Sequence, residues 1–126
     1  MRFLPTEEQR AFAAALDGLL EGAGVPNVVR AWAAGDHEPG LDLWRRLGDV
    51  GLHALLVPEE HGGLEADPVD LVVAFERLGF HAVPGPLVES VALAPTLLSA
   101  GDDPDGLLPA LAEGKALVSV AGAPRG

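Results

Sequence analysis

The sequence predicts an all-α fold, six helices packed as a bundle and followed by one short C-terminal β-strand. Three observations carry this. Apolar residues recur at spacings of three and four along most of the chain, the period of one helix face. Glycines and prolines fall mostly between these periodic stretches, where they stop or start helices. Only the end breaks the pattern: Ala116-Leu117-Val118-Ser119-Val120-Ala121 is short and partly β-branched, as a strand is.

The elements follow in order. Thr6-Glu7-Glu8-Gln9 fits a capping box, in which hydroxyl and amide each satisfy the other residue's backbone N–H. Phe12, Leu16, Leu19 and Leu20 then line one face of a first helix, about residues 6–22, stopped by Gly22 and Gly24. Pro26 suits a first helical turn, and Val28, Val29 and Trp32 make a short second helix ended by Gly35. Asp36-His37-Glu38-Pro39-Gly40 reads as loop, and Leu43, Trp44, Leu47 and Val50 as a third helix closed by Gly51. The apolar run 52–57 is either a buried strand or a buried turn, and periodicity does not separate the two. Gly62-Gly63 marks a tight loop.

Asp67-Pro68 is a cap followed by a first-turn proline. The helix behind it carries Val69, Leu71, Val72, Val73, Phe75 and Leu78, apolar around much of its circumference, which predicts an inner position. After Pro84-Gly85-Pro86, residues 87–100 hold one charge, Glu89, and are expected to be the most buried helix, bent at Pro95. Asp103-Pro104 repeats the cap-plus-proline signal before Leu107, Leu108 and Leu111. A lone terminal strand wants a sheet that lies elsewhere, so the chain reads as the front part of something larger.

Composition narrows the function classes. At 126 residues and 48% hydrophobic, the chain can bury one core. Nineteen acidic against eight basic residues give a formal net charge of -11, which repels a phosphate backbone and argues against nucleic acid as a partner. The absence of cysteine excludes disulfides, thiolate nucleophiles and cysteine-bound zinc. No signal peptide and no membrane-length apolar run is present, so a soluble, cytoplasmic protein is the expectation.

Candidate chemistry is sparse. His37, His53, His61 and His81 lack metal-ligand spacing and read as surface or loop histidines, so no metal site is expected. Glu59-Glu60 reads as solvated loop charge rather than an acid–base pair, and Gly62-Gly63 as a turn rather than a phosphate cradle. Ser90, Ser99 and Ser119 have no nucleophile-elbow context. No catalytic residue is assigned.

One set of motifs goes further. Leu43-Trp44-Arg45-Arg46-Leu47-Gly48-Asp49-Val50-Gly51-Leu52 is followed by Leu55-Leu56-Val57-Pro58-Glu59-Glu60-His61-Gly62-Gly63-Leu64. Phe3 to Gln9, Phe75-Glu76-Arg77-Leu78-Gly79 and Leu108-Pro109-Ala110-Leu111-Ala112-Glu113-Gly114 flank them in order. Together they resemble the N-terminal helical domain of flavin-dependent acyl-CoA dehydrogenases. Pro84-Gly85-Pro86-Leu87-Val88-Glu89-Ser90 is similar to a subgroup with heteromeric assemblies. The resemblance implies a helical domain over residues 1–114, with 115–126 as the first strand of a middle β-domain. It implies an acyl-CoA thioester as substrate, FAD as cofactor of the complete enzyme, and homo- or hetero-oligomers of related subunits. The α-proton is then taken by a glutamate in the C-terminal half, beyond this chain, and the β-hydrogen leaves as hydride to the flavin.

For site residues, the resemblance points to Ser90, Leu93 and Leu97 on the uncharged helix as acyl-pocket wall, with core packing as the competing role. The family's flavin-side L-T-E-P corresponds to Ala121-Gly122-Ala123-Pro124, which makes Ala121 and Gly122 the cofactor-side positions but removes the family's hydroxyl and acid. His61 stands where the family has an aromatic. Two functions fit: the front domain of an α,β-dehydrogenating flavoenzyme, inactive by itself, or a non-catalytic helical subunit that completes a partner's acyl-CoA site.

Overall fold

A computed structural model of the chain describes residues 4–103 and 105–122; Phe3, Pro104 and the Ala123-Pro124 half of the last motif lie outside the described residues. Among the described residues six α-helices run in the order α1 (Glu7–Gly22), α2 (Val25–Ala33), α3 (Glu38–Asp49), α4 (Pro68–Phe80), α5 (Ala94–Ala100) and α6 (Leu107–Ala112). Short 3₁₀ turns at Leu52–Ala54 and Glu59–His61 join α3 to α4, and a π-helical turn, Val88–Leu93, runs directly into α5.

Helix α1 starts as its sequence dictates. The Thr6 hydroxyl accepts from the Gln9 N–H at 3.2 Å, and the Thr6 N–H donates to Gln9 Oε1 at 2.9 Å. Leu16 and Leu20 then enter the core, with Phe12 and Leu19 packed at its margin. Helix α1 lies against α4, where Asp17 accepts from Arg77 Nε at 2.8 Å and His81 Nε2 at 3.0 Å.

Helix α3 begins at Glu38, five residues before the apolar face that predicted it, so 38–40 is helix and not loop. Pro39 is tolerated because first-turn N–H groups have no helical partner. Gly40 is required there: a Cβ at this position would overlap the ring of Trp32, so α2 and α3 meet through a glycine. Val25 and Val28 of α2 and Leu43, Trp44 and Leu47 of α3 complete this side of the core.

The run 52–57 resolves as a 3₁₀ turn, with Gly51 at φ 92° supplying the left-handed entry. Leu52 and Leu55 join the main core, while Ala54 and Val57 form a second cluster with Leu108 and Ala112. The following loop doubles back on this turn: Leu64, Glu65 and Ala66 donate their N–H groups to the carbonyls of Ala54, Val57 and Leu55. Gly63 lies so close to Val57 that a Cβ would collide with its carbonyl. Gly63 is therefore a packing requirement, while Gly62, at φ 85° with nothing near a Cβ, supplies the left-handed turn.

Two helices are less enclosed than their composition predicts. In α4 only Ala74 and Leu78 are buried, and Val69, Val72 and Phe80 stand exposed. Between residues 87 and 100, Leu87, Ser90, Val91, Ala94 and Pro95 face inward, whereas Val88, Leu93 and Leu97 do not. Apolarity around a whole helix shows that it avoids water, not that this chain supplies the cover. The irregularity expected from Pro95 takes the form of the π-turn just before it, in which Ala94 N–H reaches back five residues to Glu89 O. In α6, both carboxylate oxygens of Asp103 accept from the first turn, from Leu107 N–H at 2.8 Å and Leu108 N–H at 2.9 Å.

The predicted C-terminal strand is not seen. Residues 115–122 carry no strand, and no strand occurs among the described residues. A strand is defined by its ladder, and among the described residues none pairs with this segment. The Ser90 side chain takes the place of that ladder at Val118.

Candidate functional site

The site is built on α4 and the π-turn. An apolar groove of about 180 Å³ is lined by Leu71, Val72 and Phe75 of α4 and by Val88 and Ala92 of the π-turn. The first three recur on one face of α4 at one-, three- and four-residue spacings. All five lining side chains are aliphatic or aromatic. Phe75 and Val88 also line an adjoining hollow that extends past Gly79, Ala82, Val83 and Gly85 to Glu89. A groove of this make-up takes up alkyl surface and offers nothing to acid–base chemistry.

The residues singled out from sequence fall in three different places. Leu93 and Leu97 are 41% and 57% exposed, on the same segment as the groove but not among its lining residues. Ser90 is 2% exposed and turned inward. Its hydroxyl donates to the Val118 carbonyl at 2.7 Å and accepts from the Val118 N–H at 2.8 Å. Ala121 and Gly122 are exposed, and nothing lies within 4 Å of a Cβ built on Gly122. The structure thus brings Ser90 to the terminal segment and leaves the two leucines outside. The groove residues themselves were missed, although the all-round apolarity of α4 beside a nearly charge-free segment was the available signal.

Glu59, Glu60 and His61 form an exposed turn, with His61 Nε2 3.7 Å from Glu60. Among the described residues, no three His, Asp or Glu side chains are grouped as metal ligands would be, and no helix is long and apolar enough to cross a membrane. His53 departs from the surface histidine expected: it is 2% exposed, stacked on Trp44 and bonded through Nε2 to the Trp44 carbonyl at 2.8 Å. Burial pushes its pKa below the ordinary value, partly offset by that hydrogen bond.

The helical fold agrees with what comparison with known proteins finds. The family described as acyl-CoA dehydrogenase, N-terminal domain, matches residues 6–115, and the chain belongs to it. Acyl-CoA dehydrogenase IpdE2 of Mycobacterium tuberculosis (strain ATCC 25618 / H37Rv) is 33% identical over 114 residues, covering 90% of this chain and 36% of the relative. Acyl-CoA dehydrogenase IpdE2 of Mycolicibacterium smegmatis (strain ATCC 700084 / mc(2)155) is 38% identical over 99 residues, 76% of this chain and 31% of the relative. The chain spans about a third of the length of these curated relatives. A chain in the crystal structure of the ChsE4-ChsE5 complex from Mycobacterium tuberculosis shares the fold, with a TM-score of 0.71 over 91% of this chain and 30% of that one, at 24% identity.

Proposed function

We propose that the chain is the N-terminal helical part of an FAD-dependent acyl-CoA dehydrogenase-like oxidoreductase, which desaturates an acyl-CoA thioester between its α and β carbons. The observation that carries this is the wholly apolar groove between α4 and the π-turn, in a chain of this family. In this reading Val72, Phe75, Val88 and Ala92 form wall for the acyl chain, and Leu93 and Leu97 extend the same apolar face toward the rest of the protein. Exposed apolar side chains on α4 and α5 are then surfaces that the remaining domains or a neighbouring subunit cover.

Members of the family generally use FAD, which supplies the hydride acceptor when bound. The described residues of this chain do not by themselves fit a flavin. Ala121 and Gly122 offer backbone groups alone, so the flavin would be held by other parts of the protein or by a second subunit.

A second reading rests on that same segment: a non-catalytic subunit that completes a partner's acyl-CoA site, in a hetero-oligomer of related chains. The test is purification of the full-length protein with whatever copurifies, followed by a visible spectrum and acyl-CoA-dependent dye reduction. A yellow, active single-chain protein supports the first reading. A colourless chain whose activity appears only with a second, flavin-bearing subunit supports the second, and absence of activity in every combination overturns both.

A further inference from the structure

Ser90 is the one buried hydroxyl among the described residues, and it serves a single residue 28 positions away. It donates to the Val118 carbonyl and accepts from the Val118 N–H, at 2.7 and 2.8 Å. A residue in a β-ladder satisfies its neighbour in the same two-bond manner, with backbone groups. Here one side chain does so, on a segment that sequence predicts as a strand and that has no strand beside it. Both bonds converge on one oxygen, so they fix the position and the orientation of the Val118 peptide groups together.

The platform is also unusual. Ser90 sits inside the π-turn, with Val91, Ala94 and Pro95 packed inward around it, while Val88 and Ala92 of the same turn line the apolar groove. One turn of irregular helix therefore has the groove on its outer side and the latch on its inner side. π-turns inside helices concentrate at functional sites because they re-aim side chains.

We propose that Ser90 is a positioning residue: its hydroxyl holds Val118 against the π-turn and so sets where residues 119–122 leave the helical bundle. It acts through Val118 and does not touch substrate. That 121–122 approaches a flavin rests on the function proposed above; the latch does not.

The test uses the full-length protein with Ser90→Ala and Ser90→Thr. Hydrogen exchange is followed for a peptide spanning 116–122 and for one spanning α4, with the visible spectrum recorded in parallel. Ser90→Ala is expected to speed exchange at Val118 about tenfold, as for two local hydrogen bonds lost, while α4 exchanges as before. Ser90→Thr keeps the hydroxyl and is expected to restore protection. Unchanged exchange at 116–122 in Ser90→Ala, or equal acceleration in α4 and 116–122, overturns the proposal. A wild-type protein without flavin, but with the expected exchange pattern, overturns the single-chain flavoenzyme reading and leaves the latch supported.

Discussion

Trp44 and His53 form one buried unit: their rings stack at a centroid distance of 4.4 Å, and His53 Nε2 donates to the carbonyl of Trp44 itself at 2.8 Å. When the ring is neutral, this donor role places its proton on Nε2, since a carbonyl can only accept. Gly48 and Gly114 flank the ring so closely that a Cβ on either would press on His53 Cδ2. The Leu-Trp of α3 and the glycine ending the α6 turn thus meet at one histidine.

This geometry sets a pH dependence. Because burial lowers the pKa of His53 in the fold, the unfolded chain takes up its proton first, near 6.5. Stability contributed by neutral His53 is complete above that value and falls as pH drops below it. Melting temperature measured from pH 8 to pH 5 should therefore decline, and in His53→Gln the decline should be shallower. Parallel curves would remove His53 as the cause.

Asp17 titrates in the other direction. Its hydrogen bond to Arg77, and a weaker contribution from His81, hold its pKa below the ordinary 3.8 against opposing desolvation. The stability this gives is present above 3.8 and is lost as pH falls through the lowered value in the fold. Asp17→Asn should cost about 1 kcal/mol or less at pH 7, because the carboxylate is partly solvated, and the difference from wild type should vanish in strong acid. Chemical denaturation at the two pH values checks this.

The glycines divide by what surrounds them. Gly63→Ala drives a Cβ into the Val57 carbonyl and should cost at least about 2 kcal/mol. Gly18, inside α1 with nothing within 4 Å, should accept alanine with a gain of about 0.5–1 kcal/mol. Urea midpoints for the two variants, moving in opposite directions, are the expected result.

The groove separates stability from function. Val72 is 63% exposed, so Val72→Glu should change folding stability by about 0.5 kcal/mol or less where nothing covers it. If the proposed function holds, a carboxylate on that wall would face an alkyl chain in the complete protein, and acyl-CoA turnover should fall by about tenfold or more. Unchanged turnover would remove Val72 from the pocket.

Much of this architecture was legible in the residues. Thr6 and Gln9 announce their reciprocal cap, and three- and four-residue spacings locate α1 to α4 because each has one face on a common core. What escaped depends on partners that periodicity does not see. The start of α3 at Glu38 follows from Trp32 lying over Gly40. His53 is buried because two glycines far apart in sequence leave room for its ring. The exposure of Val72 and Leu97 depends on which neighbouring elements reach them, and residues 116–121 are not a strand because, among the described residues, Ala116 bonds to the Ala110 carbonyl and Val118 to the Ser90 side chain rather than to a second strand. Of the site, the segment 87–100 was legible from its missing charge, but which face it presents depends on the π-turn, marked in sequence by Pro95 alone.

The most direct test of the account is anaerobic addition of an acyl-CoA thioester to the full-length protein while its visible absorbance is followed. The account predicts a flavin band that bleaches on addition, to a lesser extent in Val72→Glu. A flavin-bearing protein whose band is indifferent to every acyl-CoA offered would contradict it.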